Sequence, residues 1–129
     1  MATWADVRRM ALGMPETSER VSRELRQWRV KDKGFAWERP LRGGEVEALG
    51  DDAPSGPILA AYVEHLGAKE ALLAEDPRVY FTTPHFDGYS AMLVRLELIA
   101  TEQLTELVIE AWLARAPASL VKAYLAGTS

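Results

Sequence analysis

The sequence His85-Phe86-Asp87-Gly88 contains two side chains that could do acid–base chemistry. A histidine can act as a general base when a nearby carboxylate orients it. Neighbouring residues in a turn seldom face each other, however, and Asp followed by Gly is common in turns that have no catalytic role. We therefore interpret these residues as a turn, and an enzyme built around His85 and Asp87 is the less favoured alternative.

Other reaction centres lack the residues that they need. The sequence has no cysteine, and its two histidines, His65 and His85, are far apart in the chain, so no zinc site is predicted. No Gly-x-Ser-x-Gly motif indicates a serine nucleophile. Gly43-Gly44 lacks the spacing of a phosphate-binding loop. We therefore predict no catalytic residue, no metal and no cofactor, and expect that the protein is not an enzyme.

A basic stretch that also contains aromatic residues suggests a binding surface. Basic side chains can contact phosphates, and exposed aromatic side chains can stack on bases. Two observations argue against nucleic acid: Trp28, Phe35 and Trp37 are predicted to be core residues, which leaves no stacking platform, and the pI is about 5.2. A protein or a small anionic ligand is the alternative for the same surface. The basic residues are Arg20, Arg23, Arg26, Arg29, Lys31, Lys33, Arg39 and Arg42.

Length and composition indicate one ordinary globular domain over residues 1–129. The net charge is −4, but residues 1–42 carry ten basic and six acidic side chains, a net charge of +4. No apolar run is long enough to cross a membrane, and charged residues interrupt the N-terminal segment where a signal peptide would be apolar. Together with the absence of cysteine, this predicts a cytoplasmic protein without membrane contact.

The segment from Val79 to Ala116 predicts a β-hairpin followed by an amphipathic helix. Residues 79–83 are β-branched and aromatic, and residues 89–98 alternate so that Met92, Val94 and Leu96 face the core. Thr101 is the expected N-cap of the helix. The apolar stripe of this helix consists of Leu104, Leu107, Val108, Ala111 and Trp112.

Residues 23–39 predict another hairpin, which we call the first hairpin because it comes earlier in the chain, with a tight turn within Lys31-Asp32-Lys33-Gly34. Because the side-chain period of a strand is two, a loop with an even number of residues places the apolar side chains of both strands on one face. We therefore expect one apolar face, formed by Trp28, Val30, Phe35 and Trp37.

The remaining segments complete an α+β pattern. Thr3 and Asp6 indicate the start of a first helix, residues 15–22 are polar and predict a loop, and residues 58–63 predict a central strand. Short helices are expected near residues 45–49, 66–75 and 118–126. The predicted fold class is α+β, with two layers: a twisted, mainly antiparallel sheet that has helices on one face.

Three segments resemble the MmcQ/YjbR-like family, and together they extend over nearly the whole chain. They are Val7-Arg8-Arg9-Met10-Ala11-Leu12-Gly13-Met14-Pro15-Glu16, Trp28-Arg29-Val30-Lys31-Asp32-Lys33-Gly34-Phe35-Ala36, and the hairpin from Thr83 to Leu96. The resemblance implies a compact α+β domain, similar to the fold of type III secretion chaperones and of frataxin-like proteins. Members of the family are commonly described as DNA-binding proteins without an established activity.

This resemblance gives two hypotheses about function, both for a small monomeric protein. The first is a non-enzymatic domain that binds DNA through the first hairpin, with phosphate contacts from Arg29, Lys31, Lys33 and Arg39. The second is a chaperone-like domain that binds another protein through a sheet face or edge. The candidate residues at the rim of a ligand site are His85, Asp87 and Tyr89.

Overall fold

The computed structural model describes residues 2–54 and 56–127, which form five α-helices and six strands. None of the helices in these ranges is long and apolar enough to cross a membrane. The helices are Trp4–Leu12 (α1), Gly43–Leu49 (α2), Leu66–Glu75 (α3), Thr101–Arg115 (α4) and Ala118–Gly127 (α5). The strands are Thr17–Ser22 (β1), Leu25–Val30 (β2), Lys33–Glu38 (β3), Ile58–Tyr62 (β4), Tyr80–Phe81 (β5) and Ala91–Arg95 (β6).

All six strands belong to one antiparallel sheet with the order β1-β2-β3-β4-β6-β5. The predicted α+β class is confirmed. The prediction of a loop over residues 15–22 is wrong, because residues 17–22 form the edge strand β1. This strand lies at the edge of the sheet and pairs with β2 alone. Most of its side chains therefore reach solvent, on both faces of the strand. Its sequence therefore lacks the alternation that identifies a half-buried strand.

One face of the sheet is covered by helices, and the main core lies there. Helices α1 and α4 pack directly on the strands, and partly buried side chains of α3 and α5 extend the same core. The predicted stripe of α4 is buried without exception, as are Met92 and Val94 of β6 and Leu96, which follows it. Helix α4 begins one residue earlier than expected, because Ala100 is its N-cap and the Ala100 amide donates to Gln103 Oε1. The capping box of Thr3 and Asp6 in α1 is as predicted.

The first three strands form two consecutive hairpins with two-residue loops. Lys31 and Asp32 join β2 to β3, and both have positive φ angles, as do Arg23 and Glu24 between β1 and β2. Two successive positive φ angles are characteristic of a type I′ turn, whose twist matches that of the paired strands. The loop between β2 and β3 is therefore even, as the sequence predicts.

An irregularity in the pairing of β2 with β3 nevertheless separates Trp37 from the other apolar residues. Arg29 pairs with Gly34, but Trp28 pairs with Ala36, so β3 has one extra residue at Phe35. Such a bulge shifts the side-chain alternation by one residue beyond it. Trp28, Val30 and Phe35 lie in the main core as expected, whereas the prediction for Trp37 is wrong: it lies on the opposite face.

We call this opposite face the open face, because it is covered only in part. The short helix α2 and residues 82–90 pack on the half formed by β4, β5 and β6, where Phe86, Leu41 and Leu49 contact a second apolar cluster. The half formed by β1, β2 and β3 carries the partly buried Trp37 and polar side chains. The bulk of the core therefore lies on one side of the sheet, and the other side has an accessible polar and aromatic surface.

We predict that Trp112→Ala destabilises the protein by about 3–5 kcal/mol, because it leaves a large cavity between α4 and the sheet. Trp112 is fully buried, packs on Tyr124, and donates from Nε1 to the Pro15 carbonyl at 3.0 Å. Urea unfolding measures this loss. Val21→Thr is the control, since Val21 is 61% exposed, and it is expected to change the stability by less than about 0.5 kcal/mol. Equal stabilities of the two variants would contradict the assignment of the core.

Candidate functional site

A cleft of about 430 Å³ lies on the open face, and we call it the aromatic cleft. Its volume lies within the range of small-molecule binding sites, which are typically apolar pockets with a few polar groups. The cleft runs between the middle of the sheet and residues 82–90. Its lining consists of Leu25, Trp37, Glu38, Arg39, Arg42, Tyr62, His85, Phe86, Tyr89 and Ala91.

Three segments bring the aromatic rings of the cleft together: β3, β4 and residues 82–90. Trp37 comes from β3 beyond the bulge, and its ring centroid lies 5.4 Å from that of Tyr62 at the end of β4. Phe86 lies 6.5 Å from Trp37 and contacts His85 edge-on at 5.1 Å. Tyr89 is 60% exposed and stacks on His85 at 6.3 Å. The cleft therefore has a packed aromatic floor and an exposed aromatic rim.

Residues 82–90 are held in place by a buried lysine. Lys69 of α3 is 4% exposed, and its Nζ donates to the carbonyls of Phe86 at 2.6 Å and Tyr89 at 3.0 Å. Burial lowers the pKa of Lys69, and the negative charge of Asp87 counteracts this shift. The ammonium group thus fixes the backbone on both sides of the turn that carries the aromatic rim.

A buried carboxylate holds the same residues from the other side. Glu45 of α2 is 6% exposed and pairs with Arg39, with distances of 2.8 and 3.1 Å from Nη1 and Nη2 to the carboxylate oxygens. It also accepts hydrogen bonds from the Arg42 amide at 2.9 Å and from Thr83 Oγ1 at 2.7 Å. These contacts connect the end of β3, the start of α2 and residues 82–90.

Hydrogen bonds have a larger effect than burial on the pKa of the Glu45 carboxyl group. Burial raises the pKa of Glu45, but the bonds from the Arg42 amide, Thr83 and Arg39 outweigh burial and lower the pKa to about 2. Glu45 is therefore ionised at neutral pH, and its charge is compensated by Arg39.

Basic side chains continue from the cleft onto the first hairpin. Arg20 pairs with Gln27, and Gln27 pairs with Trp37, so these three residues share the open face. Arg29 follows two residues after Gln27, on the same face of β2. Its Nε is buried and has no hydrogen-bond partner among the residues that the structure describes.

Gly34 of β3 contacts residues of both the basic hairpin and the helix α4. It pairs with Arg29, and its carbonyl accepts a hydrogen bond from Arg115 Nε at 3.2 Å. The guanidinium of Arg115 lies 4.3 Å from the ring centroid of Tyr62. A side chain at position 34 would collide with Gln27, whose side chain covers this glycine. The contacts of Gly34 and Arg115 therefore connect Arg29 of the hairpin to Tyr62 of the cleft.

The four predicted phosphate contacts have different surroundings. Arg29 lies on the open face, and Lys33 is exposed beside the turn that follows β2. Lys31 is exposed in that turn and is 3.7 Å from the Glu16 carboxylate. Arg39 is buried and paired with Glu45, with its guanidinium 5.1 Å from the ring centroid of Phe86. Arg39 thus supports the wall of the cleft, and the other three residues are accessible to a ligand.

The three predicted rim residues separate into two sites. His85 and Tyr89 line the aromatic cleft, whereas Asp87 lines a second cavity of about 220 Å³ with Lys69 and Thr82. Asp87 accepts a hydrogen bond of 3.4 Å from Thr82 Oγ1. His85 and Asp87 are both exposed and do not form an acid–base pair. Within residues 2–54 and 56–127, no three metal-ligating side chains lie close enough together to hold an ion.

Several residues of the site are not identified from the sequence. The aromatic role of Tyr62 and Phe86 requires contacts between distant segments. Lys69 can be identified as unusual from the sequence, because it is the charged residue in an apolar helical stripe that also contains Leu66, Leu72 and Leu73. Trp37, expected in the core with Trp28 and Phe35, is partly buried and lines the aromatic cleft.

A family model described as YjbR matches residues 12–114, which include the whole sheet and nearly all of α4. The chain belongs to the YjbR family. Similar proteins are the uncharacterized protein Rv2570 of Mycobacterium tuberculosis and the uncharacterized protein Mb2600 of Mycobacterium bovis. Each is 52% identical to this chain over 131 residues, with 99% of both chains covered.

A solved structure shows the same fold. The crystal structure of Deinococcus radiodurans protein DR2400, a DUF419 domain, superposes with a TM-score of 0.65 and covers 88% of this chain and 78% of that one. The two sequences are 20% identical, so this similarity concerns the YjbR fold alone.

We predict that Glu45→Gln destabilises this YjbR protein and weakens its sensitivity to acid. The pKa of about 2 lies below the usual 4.5, so the ionised carboxylate stabilises the fold above pH 4.5 and loses this effect as the pH falls towards 2. The contribution is on the order of 3 kcal/mol. Urea unfolding at pH 7 and pH 3 measures it, with exposed Glu47→Gln as the control. If the free energy of unfolding of Glu45→Gln fell between pH 7 and pH 3 by as much as that of the unsubstituted protein, this role would be contradicted.

We predict that Lys69→Met loosens residues 82–90 while leaving the sheet intact. The methionine fills the space of the lysine stem but leaves the carbonyls of Phe86 and Tyr89 without their donor, which costs about 1–3 kcal/mol locally. Hydrogen–deuterium exchange of the amides in this segment is expected to accelerate. Glu70→Gln, at an exposed position of the same helix, is the control. Unchanged exchange in Lys69→Met would show that the lysine does not anchor the segment.

Proposed function

We propose that this chain is a small cytoplasmic, monomeric, non-enzymatic domain that binds nucleic acid through the open face of β1, β2 and β3. The observation that carries the proposal is the set of unpaired cations on and around this face. Among the described residues, five of the eight basic side chains between positions 20 and 42 form no ion pair. These five are Arg20, Arg23, Arg29, Lys33 and Arg42.

The cations that form ion pairs within the protein and those that do not lie in different places. Arg26 is bound to Glu38 at 2.9 Å, and Arg39 is bound to Glu45 inside the protein. Arg29 and Arg20 lie instead on the open face, where a phosphate can approach them. Lys31 pairs with Glu16 at 3.7 Å with both side chains about half exposed, and such surface pairs contribute little, so a phosphate can replace the carboxylate.

The acidic pI is compatible with this surface. The net charge of +4 over residues 1–42 is opposed by acidic side chains elsewhere in the chain. At physiological ionic strength, exposed charges more than about 8 Å apart are largely screened from each other. A phosphate on the hairpin therefore responds mainly to the cations beside it, and we expect affinity that is modest and strongly dependent on salt.

We predict salt-dependent binding of labelled single-stranded and duplex DNA, weakened by Arg29→Ala combined with Lys31→Ala. Loss of two phosphate contacts lowers the slope of log affinity against log salt by about 1.4 for a single strand. Fluorescence anisotropy at two salt concentrations measures this slope. The charge-matched control is Arg78→Ala with Lys122→Ala, two exposed cations of other segments. No binding at low salt, or binding that the hairpin variant leaves unchanged, would overturn the proposal.

A second candidate function, binding of another protein, is favoured by the edge of the sheet. Strand β1 pairs on one side alone, so its six residues leave backbone groups available to an added strand. Val21 on this strand is 61% exposed and Leu25 on β2 is 38% exposed. This candidate becomes the favoured one if the DNA titration shows no binding at low salt.

A further inference from the structure

We propose that the aromatic cleft is a stacking site for one unpaired nucleobase, and that the ligand is a single strand whose phosphates lie on the first hairpin. This inference rests on the proposed nucleic-acid function and adds which form of nucleic acid is bound and where its base lies. It also gives a role to His85 and Tyr89, which phosphate binding alone does not use.

The shape of the cleft suits a flat ring. Trp37 and Tyr62 form a partly buried aromatic floor, and the rim is formed by His85 stacked on the exposed Tyr89. Aromatic side chains stack on any base, with about 1–3 kcal/mol per base. A volume of about 430 Å³ leaves room for a planar ring with its attached sugar.

The charges around the cleft select an anionic ligand over a cationic one. Aromatic pockets also bind quaternary ammonium groups, but those require an environment without competing cations. Here Arg42 lines the cleft and Arg115 covers the ring of Tyr62, whereas the charge of Arg39 is compensated by Glu45. Glu38 is the single acidic residue in the lining, and it is bound to Arg26 at 2.9 Å. An aromatic ring that carries a phosphate uses both the rings and the cations.

The positions of the strands connect the base site to the phosphate site. Arg29 pairs with Gly34, the Gly34 carbonyl is bound to Arg115, and Arg115 lies on Tyr62. Strand β2 is two strands away from β4, which is about 10 Å across the sheet. A chain whose base enters the cleft can therefore place a neighbouring phosphate near Arg29, with Arg20 one strand further on.

A duplex cannot use this site without disruption. Its bases are stacked on each other, and turning one outwards costs a few kcal/mol. A base that is not stacked on its neighbours can reach the floor of the cleft. We therefore expect a preference for single strands over duplexes of the same length, in addition to the salt dependence that both share.

The test compares three labelled probes of about twelve nucleotides, a length within the usual range of single-strand sites. They are oligothymidylate, an abasic strand with the same phosphates, and a duplex. Removal of the bases is expected to weaken binding about 5- to 150-fold, the equivalent of 1–3 kcal/mol. Tyr89→Ala is expected to weaken oligothymidylate binding severalfold and to leave the abasic strand unaffected. Tyr89→Phe retains the ring and should retain binding, and Leu98→Ala, at a position 49% exposed elsewhere, is the control.

The outcomes separate this inference from the function on which it rests. Base-dependent binding that Tyr89→Ala weakens supports both. Salt-dependent binding that is equal for oligothymidylate and the abasic strand, or tighter for the duplex, overturns the stacking site and leaves the phosphate contacts of the hairpin standing. No binding of any probe at low salt overturns both. Quenching of tryptophan fluorescence by oligothymidylate, lost in Trp37→Phe, is a second readout, since Trp28 and Trp112 are fully buried and Trp4 stacks on Trp28 on the other face of the sheet.

Discussion

The extra residue in β3 is the constraint on which the open face depends. Without the bulge, a two-residue turn would place Trp37 with Trp28 beneath the helices, and the open face would lose its central ring. With the bulge, Phe35 and Ala36 both enter the main core, and Trp37 crosses to the other side. One irregularity in the backbone therefore supplies both a complete core and an aromatic surface.

Two buried charged side chains then hold the remaining wall of the cleft. Lys69 approaches residues 82–90 from the helix α3, and Glu45 approaches them from α2, so the segment is fixed from two directions. The desolvation of each charge is offset by hydrogen bonds, and for Glu45 also by the ion pair with Arg39. Since Arg39 is used internally, the accessible cations near the cleft are Arg42 and those of the first hairpin. The same polar contacts thus stabilise the fold and decide which arginines can reach a ligand.

The helices and most strands of this YjbR protein follow from local patterns. Short stretches of sequence specify each of three features: the apolar stripe of α4, the capping box of α1, and the turn at Lys31 and Asp32. Strand β1 is not specified in this way, because an edge strand with little buried surface needs no apolar alternation. Its position depends on pairing with β2, including the bond of 3.0 Å from Trp28 Nε1 to Glu19.

For the candidate site, the sequence by itself determined that a basic hairpin and a turn containing His85 and Tyr89 exist, because charge and turn propensity are properties of short segments. Tertiary structure alone decided that these segments border one cleft, that Asp87 points into another cavity, and that Arg39 is internal. The physical reason is that a bulge and long-range hydrogen bonds set which side chains share a face. Neither leaves a periodic pattern in the sequence.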